Sequence, residues 1–392
     1  MLRDKVKDYK APEALQKVGL YNFFRVIDSE QDAVVKMNGK DVIMLGSNSY
    51  LGLTNHPKLK AAAKKAIDKY GTGTAGSRLL NGTLDLHVAL EQRIAQFMNK
   101  EAALVFSSGY QVNLGVLSSL MGRTDHIILD EYDHACIYDG ARLAFAKVRK
   151  FNHNDMEDLE ATLQKLPDTG NKLIVVDGVF SMEGDIAKLP QIVALAKKYG
   201  ASIMVDDAHG LGVLGNGGRG TADYFGLNDE VELIMGTFSK SFATVGGFIA
   251  GSAEMISYLK HLSRSLIFSA SISPANAASA FAAIDLVDEE PERIDKVWEN
   301  TRYAKKKLID AGFNTGHSET PIIPVFIGDE TKTYRLTSKL LEQGVFVNQV
   351  VSPAVPKGQE LLRLSLMATH TKAHIDQGID KLIALAKQLE II

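Results

Sequence analysis

Four short polar segments carry the residue types from which a reactive site could be built. They are residues 106–113 (FSSGYQVN), 130–134 (DEYDH), 205–209 (VDDAH) and 236–241 (GTFSKS), and each includes or follows the end of an apolar, strand-like run. In open α/β sheets, ligands bind beyond the carboxyl ends of the strands. Residues that follow different strands can therefore face one another across one ligand, which would bring a lysine, an acid and two histidines together.

Each segment also has a simpler structural interpretation. Ser108 is a good helix cap, and Lys240 could lie in a solvated loop. Asp206 could be an ordinary polar strand end, and His134 could be a hydrogen-bonded structural histidine. The combination favours chemistry, because an acid on one strand end and a lysine on another can share one ligand.

This combination is typical of a site for pyridoxal 5′-phosphate (PLP). The segment Ser108-Gly109 would begin a helix whose free amides suit a phosphate group. The Lys240 amine would form a Schiff base with the cofactor aldehyde. An acid of the segment 205–209 would keep the pyridine nitrogen protonated, which makes the ring an electron sink. We therefore predict a PLP enzyme in which Lys240 carries the cofactor.

The elements that must position these residues alternate between helices and apolar strands from about residue 55 onward. We predict helices at 56–70, 109–120 and 189–199, and strands at 103–106, 126–130, 172–180, 201–207 and 231–238. Apolar, β-branched strands that alternate with helices indicate a mostly parallel sheet covered on both faces.

The pattern changes toward both ends of the chain. Asn38-Gly39 predicts a tight turn between two short strands that follow a polar helix. A smaller α+β domain is indicated after about residue 290 by a long helix at 293–312, strands at 321–328, 345–350 and 361–367, and helices at 331–343 and 371–388. Because 392 residues exceed what one core supports, ~250–300 residues, we predict an N-terminal arm (1–54), a large PLP-binding domain (55–290) and a small C-terminal domain (291–392).

Two glycine-rich segments match the dinucleotide-binding pattern GxGxxG. Residues 71–76 follow a predicted helix instead of a strand, and residues 210–215 run into NGGRG, which cannot open a helix. A dinucleotide fingerprint must follow a strand and begin a helix. We therefore predict that both segments are loops and that the chain is not a nicotinamide-dependent enzyme.

Composition excludes several other classes. The net charge of -3 gives no basic footprint for nucleic acid, and the single cysteine, Cys136, allows no intrachain disulfide or CxxC metal pair. The N-terminus has no apolar signal core, and no run of 18 apolar residues occurs. We expect a soluble, cytoplasmic protein, and peripheral contact with a membrane stays open.

Further motifs lie along nearly the whole chain. They are 47–53 (SNSYLGL), 76–78 (GSR), 81–83 (NGT) with His87, 107–110 (SSGY), 133–134 (DH), 206–209 (DDAH), 237–240 (TFSK) and 363–371 (RLSLMATHT). With these motifs the chain resembles the α-oxoamine synthases. The resemblance implies an α/β, fold-type I PLP-dependent transferase with a large, mostly parallel sheet and a smaller α+β C-terminal domain.

The resemblance also implies a role for each matching residue. Lys240 would hold the cofactor and move the α-proton of the substrate, and Asp206 would pair with the pyridine nitrogen. His209 would bond the phenolic oxygen of PLP, and His134 would stack on the ring. The other cofactor contacts would come from Ser108, Gly109, Tyr110, Ser181, Thr237 and Ser239, and the substrate contacts from Asn48, Tyr50 and Arg363, whose guanidinium would hold the amino-acid carboxylate.

Substrates and assembly follow from the same resemblance. The family condenses an amino acid with an acyl-CoA and releases CoA and CO2 at a site shared by a homodimer, where Ser271 or Ser269 would reach the neighbour's phosphate. Within the family, the chain most resembles the branch that joins L-serine to palmitoyl-CoA in the first step of sphingolipid synthesis. The resemblance lies in residues 19–25, 45–50, 76–83, 180–185 and 351–356.

Several alternatives stay open. Residues 355–359 resemble the branch that uses glycine and acetyl-CoA, and 8-amino-7-oxononanoate synthases are a further branch. No residue decides among serine, glycine, alanine and cysteate. An aminotransferase or a threonine-type lyase would share Lys240 and Asp206, but the segments 206–209 and 363–371 argue against both. A non-catalytic partner subunit would be expected to lack Lys240.

Overall fold

The structure, a computed structural model, describes all residues 1–392 and divides into two compact units. Residues 48–297 form the larger unit, and residues 1–47 together with 298–392 form the smaller one. The predicted boundaries at 54/55 and 290/291 stay a prediction. No helix combines the length and the apolar character that crossing a membrane requires.

The strands form one large sheet and two small ones. In chain order they are β1 (Val34–Met37), β2 (Lys40–Met44), β3 (Ala102–Phe106), β4 (His126–Asp130), β5 (Lys147–Phe151), β6 (Lys172–Asp177), β7 (Ser202–Asp206), β8 (Leu233–Thr237), β9 (Gly247–Gly251), β10 (Ile322–Phe326), β11 (Val345–Phe346), β12 (Asn348–Val350) and β13 (Leu361–Ser365). The large sheet has the order β3-β9-β8-β7-β6-β4-β5, and only β9 runs antiparallel to its neighbours. The predicted mostly parallel sheet is therefore confirmed.

The helices include those predicted at 56–70, 109–120 and 189–199. They are α1 (Leu2–Val6), α2 (Ala11–Lys17), α3 (Pro57–Tyr70), α4 (Asp85–Phe97), α5 (Gly109–Leu120), α6 (Ala135–Leu143), α7 (Met156–Gln164), α8 (Leu189–Tyr199), α9 (Thr221–Tyr224), α10 (Ala253–Leu262), α11 (Arg264–Ile267), α12 (Pro274–Glu289), α13 (Glu292–Asp310), α14 (Glu330–Glu342) and α15 (Lys372–Gln388). Helix α8 has a proline in its first turn and ends at Gly200 in the left-handed conformation (φ 63°), as its sequence predicts.

Two apolar cores enclose the large sheet, one on each face. Successive residues of β4 alternate between them: Ile128 packs into one core, whereas Ile127 and Leu129 pack into the other. Each fully buried aliphatic side chain contributes ~1.5–3 kcal/mol through removal of its surface from water. The sheet is consequently a rigid support for the side chains that follow its strand ends.

The smaller unit has its own core between two three-stranded sheets and helices. Strands β1 and β2 pair antiparallel through a two-residue turn at Asn38 and Gly39, both with positive φ (52° and 71°). Positive φ at both central residues is what the Asn-Gly pair predicts. Strand β13 lies between β10 and β12 and is fully buried.

Candidate active site

Residues at the ends of β4, β6, β7 and β8 surround a cavity of about 260 Å³ in the larger unit. The predicted site residues in its lining are Ser108, Gly109, Tyr110, His134, Asp206, His209, Thr237, Ser239 and Lys240. The lining also includes residues for which the sequence predicted no role: Cys136, Asp177, Val179, Ala208, Met235, Val245 and Gly246. The structure thus brings the four polar segments together at one place.

The carboxylate of Asp206 is held in one orientation at the end of β7. Its Oδ2 accepts a hydrogen bond from Asn113 Nδ2 at 2.6 Å, and its Oδ1 accepts one from the Ala208 amide at 3.1 Å. Asp206 is only 4% exposed. Asn113 lies on α5 and was not predicted as a site residue, because nothing in its local sequence shows which strand end its helix faces.

His209 is buried beside Tyr50. The Tyr50 hydroxyl lies 2.7 Å from His209 Nδ1 and forms a hydrogen bond that fixes the plane of the imidazole ring. Tyr50 is fully buried and does not line the cavity. Its predicted contact with the substrate stays a prediction, and the structure adds a contact with His209 that the sequence did not suggest.

The loop after His209 needs glycines because its backbone packs closely against the Asp207 carboxylate. The carboxylate of Asp207 accepts hydrogen bonds from the Thr221 amide (2.5 Å) and hydroxyl (2.7 Å). A Cβ on Gly210 or Gly220 would lie 1.9 or 2.1 Å from an Asp207 oxygen, so only glycine fits at either position. Burial raises the pKa of Asp207 to about 7. The second GxGxxG match is therefore a loop, as predicted. The structure adds that this loop is wrapped around a buried acid.

His134 caps helix α6 with its side chain. Its Nδ1 accepts a hydrogen bond from the Cys136 amide at 3.2 Å and lies 2.8 Å from Cys136 Sγ. The surrounding protein lowers the pKa of His134 by desolvation, although the charge of Asp206 opposes this effect. Desolvation therefore favours the neutral form of the ring, which lines the cavity.

The amino-terminal end of α5 forms a cradle of hydrogen-bond donors. Ser108 is the N-cap, and Gly109 begins the helix. A Cβ on Gly109 would lie 2.8 Å from Thr237 Oγ1, and one on Gly247 would lie 2.7 Å from Gly109 Cα. Thr237 Oγ1 in turn lies 2.9 Å from Ser239 Oγ. These glycines let the helix amides and both hydroxyls approach one point, which suits a phosphate group.

Asp177, in the lining of the cavity, is hydrogen-bonded to a further acid, Asp133. Asp133 Oδ1 accepts a hydrogen bond from the Asp177 amide at 2.9 Å. Burial raises the pKa of Asp177, and the charge of Asp206 adds to this effect. Burial and the neighbouring Asp177 likewise raise the pKa of Asp133. The signal that could have identified Asp177 is its place at the end of an apolar strand, the same as that of Asp206.

Like Tyr50, three further predicted residues lie outside the lining of this cavity. Ser181 lies in the turn after β6 and is half-buried, and Asn48 is half-buried near the start of the larger unit. Arg363 lies on β13 of the smaller unit, where it is 4% exposed and donates a hydrogen bond to Ser365 Oγ at 2.8 Å. The predicted roles of these residues stay predictions.

Ser271 and Ser269 also lie outside the lining. Ser271 Oγ donates hydrogen bonds to the carbonyls of Gly76 (3.2 Å) and Gly82 (2.7 Å), and Ser269 Oγ accepts one from Gln111 Nε2 at 3.2 Å. Within its own chain, Ser271 therefore orders the loop at 76–82. Its contribution to a neighbouring subunit stays a prediction.

Comparison with known proteins gives a consistent family. The family model for class I and II aminotransferases matches residues 40–382. Serine palmitoyltransferase from Sphingobacterium spiritivorum is 54% identical over 100% of this chain and 98% of that protein. 8-Amino-7-oxononanoate synthase from Bacillus pumilus is 46% identical over 97% of each. A serine palmitoyltransferase from S. paucimobilis, solved with a bound PLP–myriocin aldimine, is 37% identical and superimposes with a TM-score of 0.97 over 100% of both chains.

The residues around the cavity fit PLP. A helix amino terminus with Thr237 and Ser239 suits the phosphate, and Lys240 supplies the amine for the aldehyde. The Asp206 carboxylate supplies the acceptor that a protonated ring nitrogen needs. Two hydrogen bonds fix the orientation of this carboxylate. These donors and acceptors line one cavity, and the cofactor of this chain is accordingly PLP.

Proposed function

The chain belongs to the class I and II aminotransferase family and, within it, to the α-oxoamine synthases, and on this premise we propose that it condenses L-serine with palmitoyl-CoA. The products are 3-ketodihydrosphingosine, CoA and CO2, the first step of sphingolipid synthesis. The observation that carries the proposal is the meeting of Lys240, Asp206, His209 and His134 at one cavity in a chain 54% identical to a serine palmitoyltransferase.

Each residue of the cavity has a task in this reaction. PLP, when bound, supplies an aldehyde that takes up the amino acid and a ring that spreads the negative charge of its α-carbon. Lys240 anchors the cofactor and moves the proton at the α-carbon. Asp206 would accept the N–H of the pyridine ring, and His209 would bond the phenolic oxygen. His134 would stack on the ring and contact the substrate carboxylate.

Arg363 is proposed to hold the carboxylate of the amino acid. A guanidinium can bind a carboxylate through two parallel hydrogen bonds, and the Arg363 guanidinium is anchored by a hydrogen bond to Ser365 Oγ. Arg363→Ala is expected to raise the KM for the amino acid more than the Kd for PLP. Arg363→Lys should recover only part of the loss, because an ammonium lacks the planar fork. A weakened PLP affinity with an unchanged KM would remove Arg363 from the substrate site.

The decisive experiment is a screen of amino acids against acyl-CoAs of increasing chain length. Release of CoA is followed with a thiol reagent, and background is low because the single cysteine is buried. Serine with palmitoyl-CoA is expected to give the highest kcat/KM, and Lys240→Ala should give none and lose the visible absorbance of bound PLP. Full turnover by Lys240→Ala, or amino transfer without CoA release, would refute the proposal.

A second candidate is the 8-amino-7-oxononanoate synthase reaction, favoured by the 46% identity with the B. pumilus enzyme. The same screen separates the two candidates, because this synthase type would prefer a different amino acid and acyl-CoA. A preference for glycine with acetyl-CoA would instead assign the chain to the ketobutyrate-forming branch.

Assembly and location complete the proposal. We propose a cytoplasmic homodimer with a shared active site, in which Ser271 or Ser269 contacts the partner's cofactor. Segments 76–82 and 268–272 adjoin through the hydrogen bonds of Ser271, and between them they expose Leu79 (52%), Leu80 (79%) and Phe268 (72%). Exposed apolar side chains of this kind suit a subunit interface. Light scattering of the purified protein tests the dimer, and a monomer with full activity would contradict it.

A further inference from the structure

We propose that Asn113 and Cys136 are positioning residues that link two groups of the site, Asp206 and His134, through one hydrogen-bonded chain. We call this pair the amide–thiol bridge. The bridge deepens the proposed function, since its effect on turnover rests on the roles given above to Asp206 and His134. Its existence is a matter of geometry and can be tested without any reaction.

Asn113 is the centre of the bridge. Its Nδ2 lies 2.6 Å from Asp206 Oδ2 and 2.9 Å from Cys136 Sγ, so both hydrogens of the amide are used. Asn113 is fully buried. A carboxylate only accepts hydrogen bonds, which determines that the NH2 group faces Asp206. The amide is therefore held in one orientation from two sides.

Cys136 passes the contact on to His134. Its Sγ lies 2.8 Å from His134 Nδ1, which also accepts the Cys136 amide. Burial raises the pKa of the Cys136 thiol, and nearby Asp206 adds to this effect, so the sulfur keeps its proton and can donate it. Because Nδ1 accepts the Cys136 amide, its single lone pair is shared between that amide and the thiol, and the proton of the neutral ring is on Nε2, outside the bridge.

Helix packing makes the bridge possible. Asn113 lies on α5 one turn after Gly109, and Cys136 lies on α6. The two helices approach at Gly140, where a Cβ would lie 2.6 Å from the Asn113 carbonyl oxygen. One rigid helix therefore carries both the phosphate cradle and the amide that orients Asp206. Any side chain at position 140 would push α6 away and lengthen the bridge.

The S–H stretching band in the infrared spectrum tests the bridge directly. The chain contains one cysteine, so the band reports Cys136 alone and can be recorded without cofactor or substrate. In the wild-type protein we expect the band of a strongly hydrogen-bonded thiol. His134→Asn and Asn113→Ala should each shift it, whereas Ser118→Ala, on α5 outside the bridge, should leave it in place. A band typical of a non-bonded thiol, or no shift in His134→Asn, would overturn the proposal.

Kinetics of matched variants test the positioning role. Asn113→Ala is expected to lower kcat about 10- to 100-fold with little change in the amino-acid KM, by analogy with outer-sphere partners of metal ligands. Cys136→Ser should retain more activity than Cys136→Ala, because a hydroxyl can still donate to Nδ1. Gly140→Ala should lower kcat although residue 140 does not line the cavity. Equal activity of Cys136→Ser and Cys136→Ala would contradict a donor role for the thiol.

The two readouts separate this proposal from the proposed function. If the wild-type protein shows no condensation with any acyl-CoA, the infrared result still decides whether the bridge exists. If the enzyme is active but the band shows a free thiol, the bridge is wrong and the proposed reaction stands.

Discussion

Two histidine–aspartate clusters lie at the carboxyl edge of the same large sheet, and they differ in what faces the histidine. In the cofactor cluster (Asp206, His209 and His134), the Tyr50 hydroxyl contacts the His209 ring and the Cys136 thiol contacts the His134 ring. In the second cluster, His153 lies between two carboxylates: Nδ1 is 2.9 Å from Asp130 and Nε2 is 2.8 Å from Asp185. We call this second cluster the histidine clamp.

This difference in the groups around the histidine lets histidine and aspartate serve catalysis in one cluster and stability in the other. Burial disfavours a charged His153, but hydrogen bonds to Asp130 and Asp185 outweigh this effect and raise its pKa to about 10. Both ring nitrogens are occupied, and the ring also stacks on Tyr132 with 4.5 Å between centroids. With this raised pKa, His153 carries its charge at neutral pH and pairs with both carboxylates. In the cofactor cluster a hydroxyl and a thiol contact the two rings, and both histidines line the cavity.

The largest expected effect is on the cofactor cluster. Asp206→Ala should lower kcat on the order of 10³-fold, which corresponds to a loss of several kcal/mol of transition-state stabilisation. The loss is expected because the cofactor ring no longer has an acceptor for its N–H. The melting temperature of the apoprotein should change little by comparison. Turnover within tenfold of the wild type would show that Asp206 does not pair with the cofactor.

The clamp should respond in the opposite way. His153→Gln removes the cation between two carboxylates whose side chains are 1% and 16% exposed, which should cost about 3–5 kcal/mol of unfolding free energy. Denaturant unfolding measures this loss, and kcat of the folded variant should change far less than its stability. A stable variant with strongly reduced kcat would place His153 in the catalytic machinery.

The pH dependence of stability sharpens the comparison. An unfolded histidine has a pKa of about 6.5, and that of His153 is raised to about 10. The stabilisation from its charge is therefore complete below about pH 6.5 and is lost as the pH rises through about 10, by at most about 1.4 kcal/mol per pH unit. Unfolding of wild type and His153→Gln at pH 6, 7, 8 and 9 should show a shrinking difference. A constant difference would mean that His153 is neutral.

The smallest expected effect is that of Tyr50→Phe, which removes one hydrogen bond to His209. A single neutral hydrogen bond contributes about 1 kcal/mol, so kcat should fall about fivefold with an unchanged fold. The visible absorbance of bound PLP at different pH values checks whether His209 has moved. An unchanged kcat together with an unchanged spectrum would make Tyr50 a packing residue only.

Much of the fold could be predicted from local patterns. The Asn38-Gly39 turn, the apolar strands β4, β6, β7 and β8, and helix α8 with Gly200 at its end lie where the sequence predicts them. Strand β9 and strand β5 were not predicted. The sequence of β9 is GFIAG, short and rich in glycine, and that of β5 is KVRKF, a polar strand at the sheet edge. Neither has the apolar pattern on which such predictions depend.

The residues of the candidate site likewise fall into a group that local patterns could predict and a group that they could not. Lys240, Asp206, His209 and His134 could be found because each follows a strand, and strand ends gather at one edge of a parallel sheet. Asn113, Cys136 and Gly140 could not, since they lie inside helices, where local sequence gives a face but not the neighbour that the face meets. For the same reason, the sequence could not predict the contact of Tyr50 with His209 or the histidine clamp around His153.

The sequence by itself determined which residues follow strands, which turns need glycine, and which groups could serve PLP, because these depend on neighbours along the chain. Only the tertiary structure decided which amide orients Asp206, which nitrogen of His134 lies beside the Cys136 thiol, and which histidine lies between two carboxylates. Those outcomes depend on distances of a few tenths of an ångström between residues far apart in sequence, and close packing of helices and strands sets such distances.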